Sequence, residues 1–101
     1  MYNHVVIVSF ADGTTEDIYH GHDTKEARRI SRNLWQRIQR KLDTLNAATT
    51  LDDLRAPPSN RLEKLRGDLQ GFCSVRVNQQ YRLVFRFENG NCREVRCMDY
   101  H

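Results

Sequence analysis

The residues best suited to chemistry in this chain lie between Phe72 and His101. Four arginines occupy even positions of this segment, and a tyrosine and a histidine end it: Arg76, Arg82, Arg86, Arg96, Tyr100 and His101. Guanidinium groups bind phosphates and carboxylates through paired hydrogen bonds, and a histidine releases its proton near neutral pH. The pattern predicts a surface that holds a polyanion beside a proton donor.

The same segment carries apolar residues on odd positions, which predicts strands. These residues are Val75, Val77, Leu83, Phe85, Val95 and Cys97. Alternation at period 2 is typical of half-buried strands. We therefore expect three strands, with one face toward a core and the arginines on the other face.

The turns between these strands must keep the two faces in register. Asn89-Gly90 is a strong hairpin signal, because both residues readily adopt positive φ. A two-residue loop there would place Val95 on the face opposite Leu83, so matching the faces needs an odd-length loop or a bulge. We predict three-residue connections at 89–91 and at 79–81.

A long amphipathic helix is predicted to start at Asp23, where Glu26 completes a pattern like a capping box, and to end at 46–48. Its apolar stripe has the spacing of a helix: Ala27, Ile30, Leu34, Ile38, Leu42 and Leu45. We expect this stripe to pack on the apolar face of the sheet. The arginines on the other side either contact nucleic acid or keep the helix soluble, and the spacing leaves both open.

Shorter elements fill the rest of the chain. The β-branched run His4–Phe10 predicts a first strand, and Asp12 can cap a short helix that Gly21 ends. One further turn is expected at Leu51–Arg55. The stretch 59–71 is predicted to be a loop anchored by leucines, whose charged residues are free to contact a ligand.

Length and composition fit one globular domain, which we expect to span residues 1–101. The formal charge is +3, and residues 1–24 hold four acids and no Lys or Arg. This asymmetry favours an anionic partner, with a solvated basic face as the alternative. The sequence shows no pattern typical of a signal peptide or of a membrane span. Its three cysteines include no CxxC pair, which indicates reduced thiols. We expect a cytoplasmic protein with no membrane contact, no metal and no cofactor.

If the polyanion is RNA, the chain offers one set of residues for strand scission without a metal. Such a reaction needs a base for the 2′-OH, cations for the phosphorane and an acid for the 5′-oxygen. Glu63 can serve as the base, with Arg66 and Arg82 as phosphate clamps. His101 can serve as the acid, and Tyr100 can stack on a nucleobase. The residues alone also allow a plainer interpretation, in which Glu63 is a surface carboxylate and Arg82 forms a strand-face ion pair.

Five short motifs follow one another along the second half of the chain. They are Asn60-Arg61-Leu62, Leu65-Arg66-Gly67-Asp68, Ser74-Val75-Arg76-Val77-Asn78, Tyr81-Arg82-Leu83-Val84-Phe85 and Asp99-Tyr100-His101. Together they resemble the RelE superfamily of toxins, and within it the HigB-like branch. The resemblance extends over nearly the whole chain, from about Val6.

The resemblance implies a compact α/β (α+β) fold like that of microbial ribonucleases, with an N-terminal strand and helices packed on a small, mostly antiparallel sheet. It implies a toxin that cleaves mRNA in the ribosomal A site without a metal, leaves a 2′,3′-cyclic phosphate and stops translation and growth. The implied partner is a helix-turn-helix, HigA-like antitoxin, and their complex represses its operator DNA. A non-catalytic, nucleic-acid-binding co-repressor that acts with its antitoxin is the alternative.

Carried over residue by residue, the resemblance makes His101 the catalytic histidine and Arg82 the contact to the scissile phosphate. Tyr100 and Asp99 match the residues before that histidine, and Arg66 stands where related toxins often have lysine. Glu63 departs from the histidine of some HigB-like members, but other superfamily members use a glutamate as base. The residues expected to bind RNA are Lys64, Arg76, Arg86, Arg96 and Asp99.

The position of His101 sets a geometric condition. Strict alternation puts Tyr100 on the face of Arg82, but Asp99 and His101 on the opposite face. The last strand must therefore end or twist before His101 if the imidazole and the Arg82 guanidinium are to reach one site.

Overall fold

The computed structural model describes residues 6–100. Two α-helices, α1 (Gly13–His20) and α2 (Trp35–Ala47), precede a four-stranded antiparallel sheet. Its strands lie side by side in chain order: β1 (Glu63–Lys64), β2 (Cys73–Arg76), β3 (Tyr81–Glu88) and β4 (Asn91–Asp99). Short 3-10 turns occur at Ala27–Arg29, Arg32–Leu34, Leu51–Arg55, Pro58–Asn60 and Gly67–Leu69. Within residues 6–100, no helix is long and apolar enough to cross a membrane.

Residues 6–11 lie parallel to β4, in the region where the sequence predicts a first strand. The pairing consists of two isolated bridges: Ile7 with Cys92, and Phe10 with Val95. The amide of Val8 donates to the Cys92 carbonyl at 2.9 Å. The first strand is therefore present as a broken parallel pairing, and its predicted residues His4 and Val5 lie outside the described part of the chain.

Helix α1 forms as its end signals predict. The Asp12 carboxylate accepts a hydrogen bond from the Thr15 amide at 2.8 Å, and Gly21 ends the helix with φ of 75°. The buried hydroxyl of Thr15 accepts a hydrogen bond from the Cys97 amide at 2.8 Å. This contact fixes α1 against the edge of β4.

The long helix predicted from Asp23 is wrong in its first half, because α2 begins only at Trp35. The preceding chain makes two 3-10 turns separated by Ile30 and Ser31, and Ile30 is extended (φ −110°, ψ 137°). Asp23 caps neither turn: the N-cap residue of the first turn is Glu26, without a side-chain cap, and the Thr24 hydroxyl accepts from the Ala27 amide at 3.0 Å. The apolar stripe still reaches the core, and its buried members are Ala27, Ile30, Ile38, Leu42 and Leu45.

The β3–β4 hairpin corrects one predicted connection. Glu88 pairs with Asn91 across the two-residue turn Asn89-Gly90, whose φ angles are 53° and 79°. The faces match nevertheless, because a bulge shifts the register farther along the hairpin, where Glu94 has φ of 53°. The bulge supplies the extra residue that was predicted in the loop.

Four residues, 77–80, separate β2 from β3, so the three-residue connection predicted at 79–81 is wrong in length and position. The Val77 amide donates to the Tyr81 carbonyl at 2.9 Å, which closes the hairpin around residues 78–80. The side-chain oxygen of Asn78 accepts hydrogen bonds from the amides of Gln80 and Tyr81 at 2.9 and 2.7 Å. This asparagine therefore stabilises the β2–β3 turn.

The sheet is covered on both faces at its centre. The six odd-position apolar residues of the three long strands and their turn are buried, as predicted: Val75, Val77, Leu83, Phe85, Val95 and Cys97. On the arginine face, which was expected to hold a polyanion, Ser74, Arg82 and Val84 are also buried. The segment after Pro58–Asn60 lies over this face, since the Arg61 carbonyl accepts a hydrogen bond from Arg82.

The three cysteines are free and buried, in agreement with the prediction of reduced core thiols. Burial raises the pKa of Cys92 and of Cys97 to about 12. Both thiols therefore stay protonated at neutral pH, and the reactive thiolate is suppressed.

We expect iodoacetamide at about pH 8 to leave Cys92 and Cys97 unmodified in the folded protein and to modify both in denaturant. Mass spectrometry of peptides taken at successive times measures the modification. Fast labelling of either thiol in the folded protein would contradict this burial.

Candidate active site

An open cleft of about 240 Å³ lies where the β2–β3 turn, the segment leading into β1 and the end of β4 meet. Its walls are formed by Arg61, Glu63, Arg76, Asn78, Gln79, Arg82 and Tyr100. The cleft brings together four residues that the sequence analysis selected from distant positions: Glu63, Arg76, Arg82 and Tyr100. Within residues 6–100, no group of three or more His, Cys, Asp or Glu residues is placed to hold a metal ion.

Arg82 is the buried cation of this cleft, with a side chain that is 9% exposed. Its Nε donates to the Ser74 hydroxyl at 2.7 Å, and its Nη2 donates to the Arg61 carbonyl. The Glu63 carboxylate lies 3.5 Å from the same Nη2. A charge that is buried and held by several partners is pre-organised, so it can stabilise a second anion without rearranging.

Two of the residues that hold Arg82 were not selected as site residues from the sequence. Arg61 adopts a left-handed conformation (φ 45°, ψ 57°) just after the Pro58–Asn60 turn. Ser74 lies in β2 opposite Val84 and is fully buried. A serine inside an otherwise apolar strand was a usable signal, because a buried hydroxyl needs a hydrogen-bonding partner.

Tyr100 forms the aromatic wall of the cleft. Its ring lies 5.6 Å from the Arg82 guanidinium carbon, and the residue is 40% exposed. Its amide donates to the Gln80 carbonyl at 2.6 Å, which ties the end of the chain to the β2–β3 turn. Strand β4 ends at Asp99, so the condition that the strand stop before His101 is met. His101 itself lies outside the described residues.

Glu63 occupies β1, where it pairs with Ser74 in the sheet ladder. Its side chain is 52% exposed, so one side contacts Arg82 and the other is open to the cleft. A carboxylate in this position can do two things. It can take a proton from a ligand in the cleft, or it can act only as the counter-ion that orients Arg82.

The cleft does not include every residue that was predicted to act in catalysis or in RNA binding. Those lying outside it are Lys64, Arg66, Arg86, Arg96 and Asp99. Arg86 has other contacts, since it stacks 4.3 Å above the Phe72 ring and pairs with Glu94 at 3.0 Å. Arg66 is exposed at the start of the Gly67–Leu69 turn. The roles given to these five residues remain predictions.

Comparisons with known proteins agree with this architecture. The family model described as a RelE-like toxin of the type II toxin-antitoxin system HigB matches residues 4–101. Toxin HigB-1 of Vibrio cholerae is 45% identical over 83 residues, which cover 82% of this chain and 85% of that protein. The chain belongs to the HigB-like toxin family. Endoribonuclease HigB of Proteus vulgaris is 32% identical over 65 residues, covering 64% of this chain and 70% of that protein.

Solved structures confirm the predicted fold class of this HigB-like chain. The YoeB-YefM complex of Staphylococcus aureus contains a chain that superposes with a TM-score of 0.59 at 18% identity, covering 96% of this chain and 97% of that one. The YoeB/ParE toxin of Agrobacterium tumefaciens has a TM-score of 0.53 at 20% identity and covers 95% and 99%. At these identities the likeness establishes the α+β fold of RelE-type toxins.

Proposed function

We propose that this HigB-like chain is an endoribonuclease that cuts mRNA on the ribosome by attack of the 2′-OH, without a metal. The observation that carries the proposal is the buried Arg82 guanidinium, held beside the Tyr100 ring in an open cleft. A fixed cation stabilises the charge that develops on a phosphorane, and an exposed aromatic ring can hold a splayed base. The family and the name of the Proteus vulgaris relative support the activity.

In the proposed reaction, Glu63 accepts the proton of the 2′-OH as that oxygen attacks the adjacent phosphorus. Arg82 neutralises the non-bridging oxygens, with Arg76 of the same cleft as a further cation. The bond to the 5′-oxygen breaks, and His101 donates the proton that this oxygen requires. The products are a 2′,3′-cyclic phosphate and a free 5′-hydroxyl. The protons balance, because the base gains one proton and the acid loses one.

The proposed partners follow from the same family. Solved structures of YoeB contain YefM in toxin-antitoxin complexes, which supports an antitoxin partner for this chain. We propose that this partner is a helix-turn-helix, HigA-like protein, that their complex binds operator DNA, and that the free toxin acts on mRNA at the ribosome in the cytoplasm.

The direct test is to add the purified protein to a translation extract and to map the ends of a defined message. We expect new 5′ ends that carry a hydroxyl and matching 3′ ends that carry a cyclic phosphate. A message with a single 2′-deoxy substitution at the cut nucleotide should resist cleavage there, because the attacking group is missing. An uncut message, or ends that carry a 5′-phosphate, would refute this chemistry.

The role of Glu63 is tested by Glu63→Gln, which keeps the shape of the side chain but removes its ability to accept a proton. If Glu63 is the base, we expect the cleavage rate to fall by about 100-fold or more, within the range for general bases. The matched control is Glu88→Gln, which neutralises another carboxylate that pairs with an arginine, Arg93 at 3.6 Å. A Glu63→Gln rate close to that of the control would leave Glu63 only the role of counter-ion to Arg82.

The ion pair between Glu63 and Arg82 favours a second candidate function, a non-catalytic co-repressor. In that case the carboxylate offsets the charge of Arg82, and the cleft binds nucleic acid weakly without cutting it. The two candidates differ in two results. For a co-repressor, Glu63→Gln should increase affinity for RNA or operator DNA, and neither it nor the parent should cut a message in the extract.

A further inference from the structure

A second and larger groove, of about 500 Å³, adjoins the cleft. We call it the α2 groove, because four residues at helical spacing on α2 form one wall: Arg37, Arg40, Lys41 and Thr44. The opposite wall consists of Pro57, Ser59, Arg76, Val77 and Asn78. Arg76 and Asn78 line both the cleft and the α2 groove, so the two depressions are adjacent.

The α2 groove carries positive charge that the protein does not neutralise. Four of its nine lining residues are basic and none is acidic. Among residues 6–100, the ion pairs of the protein leave out all four of these cations: Arg37, Arg40, Lys41 and Arg76. Burial and the nearby charge of Arg37 lower the pKa of Lys41. An anion in the groove would relieve this repulsion.

Some surface arginines of the chain differ from those of the α2 groove because they pair with carboxylates. Arg28 pairs with Asp23 at 3.7 Å, and Arg55 pairs with Asp52 at 2.9 Å. These arginines are already balanced by carboxylates. The basic side chains of the groove, in contrast, face a depression that is large enough for a small ligand.

The lining also indicates which part of a nucleic acid fits. None of the nine lining residues is aromatic, and Pro57 and Val77 are the apolar ones. Single-stranded bases are recognised mainly by stacking on aromatic rings, whereas phosphates are bound by arginine and lysine. The α2 groove therefore suits the sugar-phosphate backbone, and the cleft with Tyr100 suits a base.

We infer that the α2 groove binds the backbone of the RNA strand whose scissile nucleotide lies in the cleft, as a subsite that is independent of sequence. This inference rests on the proposed function for the identity of the ligand as RNA. The strand passes from the cleft along Arg76 into the groove, where Arg37 and Arg40 bind its phosphates. Longer single strands consequently bind more tightly than strands that fill only the cleft.

The test measures fluorescence anisotropy of single-stranded 2′-O-methyl RNA, which cannot be cut because its attacking hydroxyl is blocked. Oligonucleotides of roughly three nucleotides fill the cleft alone, and those of roughly twelve nucleotides reach both the cleft and the α2 groove. The test variant is Arg37→Gln/Arg40→Gln, and the control with equal charge is Arg28→Gln/Arg93→Gln, whose residues line neither depression. Circular dichroism checks that all variants are folded.

We expect the parent and the control to gain affinity with length and the test variant to lose that gain, about tenfold or more on the longest strand. The slope of log K against the logarithm of the salt concentration should become less steep by about 1.4 in the test variant. Each of the two lost phosphate contacts contributes about 0.7 to that slope on a single strand. A test variant that keeps the length-dependent gain overturns the inference. So does a parent that binds no single-stranded RNA.

The translation extract separates this inference from the proposed function. If RNA binding depends on the α2 groove but the message stays uncut, the proposed nuclease activity is refuted and the groove is retained as an RNA-binding site. Normal cleavage by a test variant whose binding is also normal refutes the groove alone.

Discussion

Replacing Arg82 with lysine should reduce mRNA cleavage by about 100-fold to 1,000-fold, the range seen when one pre-organised donor to a developing charge is removed. Lysine keeps the positive charge but lacks the planar fork. It cannot reach the Ser74 hydroxyl, the Arg61 carbonyl and a phosphate at the same time. The charge would therefore remain in the cleft without a fixed position.

Two comparisons make the Arg82→Lys result specific. Arg93→Lys makes the same change in a half-exposed arginine of β4 that pairs with Glu88, and it should cleave like the parent. Ser74→Ala removes one anchor of the guanidinium and should cost about 1–3 kcal/mol of stability, the usual cost of an unpaired buried donor, with an intermediate loss of cleavage. If a folded Arg82→Lys protein cuts messages within a few-fold of the parent rate, Arg82 is not the phosphate contact.

The strands were predictable because their signals are local. Alternation from Val75 to Phe85 fixed which side chains face the core, and Asn89-Gly90 fixed the position of a turn. The length of that turn was not predictable, since a bulge and a three-residue loop restore the same faces. The pairing of Glu88 with Asn91 and the left-handed backbone at Glu94, which the residue type does not favour, show which solution the chain uses.

The first half of the long helix failed for a different reason. Apolar periodicity reports which side chains are buried, and two 3-10 turns can bury the same side chains as one continuous helix. The decisive contacts are specific. The Trp35 indole donates to the Ile30 carbonyl at 2.9 Å, and Asp23 binds Arg28 and Arg32 instead of capping a helix.

The candidate site was partly predictable for a physical reason as well. Glu63, Arg82 and Tyr100 have chemistry that marks them in the sequence, and the cleft brings them together. The contact of Arg82 with the Arg61 carbonyl has no such mark, because a backbone carbonyl carries no signature in the residue type and the contact joins positions 21 residues apart. Such contacts depend on how the segment before β1 lies across the sheet, which local patterns do not determine.

His101→Ala should lower the cleavage rate by about 100-fold to 10,000-fold, the contribution of a positioned general acid. The residue lies outside the described part of the chain, so the prediction rests on the resemblance and on the cleft beside Tyr100. The control is His22→Ala, which removes an exposed histidine beyond α1 that has no proposed role. Thermal unfolding of both variants shows whether a loss of activity reflects a loss of folding.

The dependence of the rate on pH distinguishes an acid from a residue that only binds. A general acid must carry its proton, so the rate of the parent should fall as the pH rises through the pKa of the imidazole, which ordinarily lies near 6.5. In His101→Ala this falling limb should disappear, and the remaining slow rate should be flat or rise with pH as the base ionises. An unchanged limb in His101→Ala would assign the proton donor to another group, with the phenol of Tyr100, 5.6 Å from Arg82, as the first to examine.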